Sequence, residues 1–436
     1  MTGASSTELP EEVKLDYAVS PDDVDLDATD LTDSNLYAFG DPHSVWNAMR
    51  HRDPVRWQQV DDDRGFWSVT KFADVDLVLR DHTLFTSERG TMLFLLGKQD
   101  PAGGRQMAAT DPPRHTRMRE PLRRALTARN VEQYRPAVAA AVRRLLAPAA
   151  SGEPFDFARV MMALPMATAS TMMGLPREDW DRLTRLTAMA VAPGDPDFAE
   201  PGGENATLQR AHRELFGYFH DVVRQRRRNP GNDLISLLMD TEIDGKTLDS
   251  GAVLSNCYGL ILGANVTTPF VPTGAMSAVV GTPALELWRS DPGLITSGVD
   301  EALRWSSPAN HFMRYAVRDL ELRGKKIRAG DAVVAWLGSA NRDEEVFDAP
   351  FTFDVRRKPN RHMAFGSGAH YCVGHAVARM SLKILFTELF ESFDHFEIVG
   401  EVEHLRSNFV AGIKSMPMVM KVRSEVVDRY ADLMPC

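Results

Sequence analysis

"HMAFGSGAHYCVGHAVARM", residues 362 to 380, decides how the rest of the chain is read. Cys372 follows Gly366 and Gly368, precedes Gly374, and leads into the apolar-periodic segment GHAVARMSLKILFTELFESF, whose spacing predicts a helix. Glycines let a backbone turn sharply and approach a bulky object closely. A cysteine just ahead of a helix N-terminus has its thiolate stabilised there. The residues alone leave three readings. A zinc site would use His370, Cys372 and His375, although no second Cys or His pair at zinc spacing follows. A nucleophilic cysteine would take His115 or His370 as its base. A buried structural thiol is the default for a lone cysteine, yet it gives the surrounding glycines no purpose.

Phe365, Gly366, Gly368, His370, Cys372 and Gly374 match the loop F-G-x-G-x-H-x-C-x-G position for position, and through it the chain resembles the cytochrome P-450 superfamily. The resemblance implies heme b (iron protoporphyrin IX) as cofactor and Cys372 as the thiolate ligand to its iron. It also implies Phe365, Gly366 and Gly374 as parts of the cofactor-binding loop. Further parts of the family pattern recur in order. Glu301 and Arg304 in EALR, with Arg357 in FDVRRKPN, resemble its structural Glu-Arg-Arg triad. By spacing alone, Glu301 and Arg304 would be an ordinary surface pair three residues apart. His115 and Arg119 in RHTRMR share a helix face. With Arg314 in HFMRYAV and His362 in NRHMAFG, they fall where the family donates hydrogen bonds to heme propionates. Two buried carboxylates require such partners.

A second stretch, GANVTTPFVP at residues 263 to 272, lies inside a run from Ser250 to Leu285 that carries no charged side chain. It resembles the family's distal helix, A-G-x-[DE]-T, with Thr267 as the oxygen-binding hydroxyl, Thr268 beside it and Asn265 as a water-orienting amide. Val266 departs from the pattern, because it occupies the acid position and carries no proton. Pro269 and Pro272 lack the N–H groups that would bond the carbonyls of Asn265 and Thr268, so a kink and two carbonyls open to water are expected. Without the cysteine loop, the same residues read as a Pro-kinked core helix whose threonines bond back to their own backbone.

Outward from these motifs, the fold class is mainly α with small β-sheets, and the resemblance makes it the cytochrome P-450 fold. DPHSVWNAMRHRD, DPPRHTRMREPLRRAL, NVEQYRPAVAAAVRRLLAPA and NATLQRAHRELFGYFHDVVRQRRR show helical spacing, with Asn130 and Asn205 as caps. VRWQQV and GFWSVT flank a turn, and LELRGKKIRAGDAVVAWLG alternates as strands. Residues 39–436 carry no linker and read as one domain behind an acidic arm, 1–38, expected to be solvated and partly ordered. That arm holds ten Asp and Glu against one lysine, Lys14, which accounts for nearly all of the formal charge of −10 and leaves a near-neutral body unsuited to nucleic acid. The opening MTGASSTELPEEVK has neither a basic nor an apolar leader region, so a cytoplasmic protein without a membrane anchor is expected. The uncharged run is long enough to span a bilayer, but Asn256, Asn265, Thr267, Thr268, Thr273 and its prolines suit a lipid-facing helix poorly. Three cysteines, Cys257, Cys372 and Cys436, form no disulfide framework.

The resemblance implies a monooxygenase that inserts one oxygen atom from O2 into a small, largely apolar substrate, free or tethered to a carrier protein, by hydroxylation or epoxidation in secondary metabolism. A peroxide-driven heme-thiolate oxidase and a non-catalytic heme scaffold or ligand sensor are the alternatives. These residues include no flavin or iron-sulfur domain, so ferredoxin and ferredoxin reductase are the expected electron donors, with Arg119, Arg123 and Arg124 facing an acidic ferredoxin. Thr91–Gly97, Ser307–Phe312 and Val410–Met416 fall where the family lines its pocket, with Asn310 and His311 as polar handles.

Overall fold

Asp41 and Asp249 open two helices by the same device, a carboxylate that accepts the first orphan N–H groups: His43 and Ser44 for Pro42–Arg52, Ala252 for Ser250–Asn265. The structure is a computed structural model that describes residues 20–431 and 433; the opening MTGASSTELPEEVK, Lys14, part of the acidic arm and Cys436 lie outside the described residues. Two expected caps move. Thr127, not Asn130, caps its helix, its hydroxyl accepting the Asn130 N–H at 3.3 Å. Gly202, at φ +110°, precedes Gly203–Arg228 and places Asn205 inside that helix, because two successive glycines reverse the chain before any side-chain cap is needed.

A five-stranded mixed sheet runs in the order Val55–Gln59, Gly65–Val69, Ala332–Trp336, His311–Ala316, Phe85–Thr86, with Ala332–Trp336 parallel to Gly65–Val69 and the other pairs antiparallel. Strand His311–Ala316 was not expected, because all but one of its residues are buried and no polar alternation marks it. The arm first meets Arg52 of helix Pro42–Arg52 through the carbonyls of Asp22 and Val24, and from Leu26 onward it packs on this sheet. Leu31 and Tyr37 are buried, and Gln58 Nε2 donates to Asp30 at 2.7 Å.

The helices that frame the site lock together through Trp288. Its ring lies 4.4 Å from Phe386 and 5.2 Å from Phe390 of helix His375–Ser392, and a Cβ at Gly298 would stand only 2.1 Å from its Nε1. Glycine therefore lets helix Ile295–Ser306 close on the tryptophan. The uncharged run is not one long kinked helix but Ser250–Asn265, a break at 266–269, Phe270–Val279, and the start of Pro283–Ser290. At the break the carbonyls of Thr267 and Thr268 accept from Phe270 N at 3.2 Å and Val271 N at 3.3 Å. The Thr268 carbonyl, expected to be open to water, is thus used by a tighter three-residue turn. Among the described residues no helix is long and apolar enough to cross a membrane.

Candidate active site

The loop before helix His375–Ser392 is bonded at nearly every step. Asn341 Oδ1 accepts Met363 N at 2.6 Å, Met363 O accepts Gly366 N at 2.8 Å, and Phe365 O accepts Cys372 N at 2.8 Å. Gly366 and Gly368 hold φ of +71° and +68°, where a side chain is strained. A Cβ on Gly368 would also meet the Arg80 Cα at 2.6 Å, so helix Phe72–Arg80 packs directly on the loop. Ser367 is hydrogen-bonded to Asp76 of that helix.

Burial pushes the Cys372 thiol up, while the Gly374 N–H, Arg119, Arg379 and the His375 N–H pull it back in that order. Those donors and cations suit a thiolate that ligates a metal. Cys257, buried in helix Ser250–Asn265, is pushed up to about 12 by burial and Asp233, opposed only by a backbone hydrogen bond, which marks it as inert.

Two residues from Cys372, the His370 ring lies 4.2 Å from the His115 ring. His115 is 1% exposed, and both its ring nitrogens are buried without a hydrogen-bond partner. Arg314, 4% exposed, donates to the carbonyl of Met313 at 2.9 Å and is in no ion pair among the described residues; burial lowers its guanidinium to about 10. Burial, then Arg314, His115 and Arg119, hold His370 uncharged, down to about 2. Burial likewise takes His115 to about 4. The nearby carboxylate, Asp111, meets His370 only through the Ser87 hydroxyl and pairs with neither His115 nor Arg314, and buried donors without acceptors are costly. The cluster therefore fits the two carboxylates of heme b, which would supply the missing acceptors.

The expected cofactor partners do not all meet there. Arg119 donates to the carbonyl of Tyr371. His362 lies apart, 3.6 Å from Asp300, with its ring against Phe365. Its alternation with Met363, which points into the sheet-side core, turns it toward helix Ile295–Ser306 instead. His370, which the sequence held as a motif position and a possible base, lies beside His115.

The triad residues converge fully. Arg304 donates to Glu301 at 2.7 and 2.8 Å and to the carbonyls of Asn341, Pro350 and Thr352, while Arg357 reaches Glu301 at 3.2 Å. The Glu301 carboxyl is held below its usual range despite burial, chiefly through its hydrogen bonds to Arg304.

Across the break at 266–269 the bonding is sparse. Gly263, Ala264, Thr267 and Thr268 share the open face, and Thr267 Oγ1 donates to Gly263 O at 3.1 Å. Val266 is buried in an apolar cluster with Met166 and Leu262. Asn265, 1% exposed, turns its amide the other way, 3.3 Å from Thr187 Oγ1 and 3.2 Å from Met166 Sδ, with Oδ1 unpartnered. It stands nearly opposite Thr267 on the helix, so it does not share that face as expected.

Asn310 and His311, expected as polar handles, are consumed by structure. Both donate to the carbonyl of Asn408 at 3.2 Å, His311 Nε2 accepts Leu93 N at 3.2 Å, and the His311 ring sits between Trp336 and Phe409. The segment around Asn408 also holds the loop after helix Trp180–Val191. Ser407 Oγ donates to Val191 O at 2.6 Å, and the buried Asp195 accepts Arg406 N at 2.9 Å and Lys414 Nζ at 3.0 Å. No sequence signal marked Asp195, whose partners Arg406 and Lys414 come from more than two hundred residues away.

Residues 293–418 match the family model described as Cytochrome P450. Cytochrome P450 NovI of Streptomyces niveus is 34% identical over 407 residues, which cover 92% of this chain and 98% of that protein. The linalool 8-monooxygenase of Pseudomonas putida is 30% identical over 406 residues, covering 91% of this chain and 99% of that protein. Among solved structures, P450 OxyD, involved in the biosynthesis of vancomycin-type antibiotics, superposes with a TM-score of 0.81 at 33% identity, covering 91% of this chain and all of that one. Mycobacterium marinum cytochrome P450 CYP268A2, solved with pseudoionone, gives a TM-score of 0.83 at 30% identity, with 92% of this chain and 100% of that one covered.

Proposed function

This chain belongs to the cytochrome P450 family, and from that premise we propose that Cys372 holds the iron of heme b while the Thr267 face of the broken helix receives dioxygen and a small, largely apolar substrate. The protein is a heme-dependent oxidoreductase of the monooxygenase type. When bound, the heme supplies the chemistry by which one atom of dioxygen enters the substrate and the other leaves as water. Every remaining task falls to side chains of this chain. The N–H groups of Gly374 and His375 and the charges of Arg119 and Arg379 steady the Cys372 thiolate. His115, Arg314 and His370 take the two propionate carboxylates, and Phe365, Gly366 and Gly368 shape the loop that lies against the ring. The observation that carries this reading is His115, whose ring nitrogens are buried and unpartnered, together with the buried Arg314, which is in no ion pair among the described residues, and the His370 ring beside them.

On the distal side, the Thr267 hydroxyl bonds Gly263 O at rest and is placed to pass a proton at its Oγ1, with Thr268 beside it on the open face. Asn310 and His311 shape the wall by holding residues 405–410 in place rather than by binding substrate. Selection therefore rests on apolar contact, and a terpenoid- or steroid-sized molecule of secondary metabolism, acted on by hydroxylation or epoxidation in the cytoplasm, fits that chemistry. Relatives named for linalool and for steroid C26 support it. A carrier-tethered substrate is the rival. Electrons come from ferredoxin and its reductase. Val266, buried where the family usually places an acid, favours a second reading in which hydrogen peroxide drives turnover. Equal product yield with peroxide alone and with reductase plus ferredoxin would select it.

The deciding experiment is the absorption spectrum of the reduced, carbon-monoxide-bound protein. The red-shifted Soret band of thiolate ligation is expected in the parent and in Cys257→Ser and Cys436→Ser, and is expected to vanish in Cys372→Ser. Retention in Cys372→Ser refutes the assignment. A panel of terpenes, steroids and fatty acids, scored by the shift each produces in the Soret band, then ranks the substrate classes.

A further inference from the structure

We propose that the ion pair of Asp300 and Arg379 sets the reduction potential of iron held at Cys372, with Arg379 raising it and Asp300 offsetting part of that rise; the proposal rests on the Cys372 assignment above. Arg379 leaves helix His375–Ser392 on the side of the cysteine loop. Its guanidinium carbon stands 4.5 Å from the centroid of the Phe365 ring, and Nη1 is 3.4 Å from the Tyr371 hydroxyl. Phe365 and Tyr371 are the residues whose backbones fix Cys372: Phe365 O accepts its N–H, and Tyr371 precedes it, with its carbonyl held by Arg119. The cation is thus locked against the shell of the sulfur, with its side chain only 27% exposed, so water screens it incompletely.

Its counter-charge has a defined geometry. Asp300 Oδ1 accepts Arg379 Nε at 2.9 Å and lies 3.6 Å from His362 Nε2. Burial holds His362 below its ordinary range, so at neutral pH it brings no second cation; it serves Asp300 as a hydrogen-bond partner, and Arg379 is the fixed charge that Asp300 faces. The neighbouring Glu301 is spent on Arg304 and Arg357. Two adjacent acids of one helix therefore divide their work: Glu301 holds the fold, and Asp300 reaches toward the loop. A fixed positive charge near the iron favours the reduced form, which carries one more negative charge, and a fixed negative charge disfavours it. Because the pair is rigid, each partner displaces the equilibrium in its own direction.

The test measures the potential of the heme-loaded protein by dye equilibration in the parent, Arg379→Gln, Arg379→Lys, Asp300→Asn and the double variant Arg379→Gln/Asp300→Asn, with the carbon-monoxide spectrum recorded for each. The equilibrium constant for reduction is expected to fall roughly tenfold in Arg379→Gln and to rise by a smaller factor in Asp300→Asn. Arg379→Lys is expected to restore most of the loss, and the double variant to lie within about threefold of the parent. Opposite signs are the signature that a merely structural role does not produce. Shifts of the same sign, or unchanged potentials with the thiolate band intact, overturn the proposal and leave Cys372 in place. So does slower reduction by ferredoxin at an unchanged potential, which makes Arg379 a docking residue. Absence of the thiolate band from the parent removes the Cys372 assignment itself, and the proposal with it.

Discussion

The cysteine loop at 363–374 and the helix break at 266–269, which the proposed function places on one cofactor, are built on opposite terms. In the loop, backbone groups, two left-handed glycines and the flanking helices determine each turn several times over. At the break, a threonine hydroxyl bonds its own helix, a valine fills an apolar cluster and prolines withhold the usual donors. A ligand atom must stay at one distance through every turnover, so a rigid frame suits the first. Substrate, dioxygen and water must come and go across the second, and a frame with few internal bonds leaves them room.

The largest test of this contrast lies beneath the loop. Glu301→Ala leaves two buried guanidiniums without their acid, which is expected to cost roughly 3–5 kcal/mol and nearly all heme-loaded protein. Urea unfolding at the parent midpoint would show that the loop does not depend on the triad. A second test concerns the wall behind the break, where burial takes His311 from 6.5 to about 3. A depressed histidine takes up its proton more readily when unfolded. Its contribution is therefore complete above pH 6.5 and is lost as pH falls toward 3, by up to roughly 1.4 kcal/mol per pH unit. His311→Gln is expected to flatten the unfolding free energy over that window; an unchanged slope would mean the wall is not anchored through this ring.

Within the break, two neighbours are expected to separate. Thr267→Ala should unfold within about 0.5 kcal/mol of the parent yet lose roughly tenfold in product formed per electron, the remainder appearing as peroxide. Asn265→Ala should do the reverse, losing about 1–2 kcal/mol of stability while keeping most of its coupling. If the two variants behave alike, the opposed directions of their side chains do not govern function. The smallest effect is expected on the outer surface, where Arg123 and Arg124 both bond Glu120. Arg123→Glu should slow reduction by an acidic ferredoxin a few-fold at low salt and less at high salt, followed by stopped-flow absorbance.

The same contrast explains what was legible in the sequence. Cys372, its glycines and the triad could be read because local geometry and fixed spacing restrict those positions to one residue type. The prolines announced the break in the distal helix for the same reason. Strand His311–Ala316 was hidden because a strand buried on both faces has no alternation to read. That His370 lies beside His115 while His362 faces Asp300 could not be read from the string, since it depends on the path of the loop between the two histidines. Asn265 looked like part of the open face because it lies in the motif, yet its position two residues before Thr267 sends its amide toward helix Trp180–Val191. Asp195, and the second half of the arm with its buried Leu31 and Tyr37, depend on partners far away in the chain and left no local mark.

The segment 405–410 has a consequence for anyone who would retrain this enzyme on a new substrate. Its Asn408 carbonyl holds Asn310 and His311, the Asn408 amide reaches the carbonyl of Thr32, Ser407 holds Val191, and the Arg406 backbone serves Asp195. A mutation there is felt at once in the arm, the sheet and the loop after residue 191. Ala264 and Thr268 stand on the open helix face, and no side-chain hydrogen bond ties either one to another element among the described residues. Mutational freedom is therefore uneven between these two segments. A library aimed at 264 and 268 samples shape at little cost in folded yield, whereas the same diversity spent on 406–408 is mostly lost to chains that never assemble.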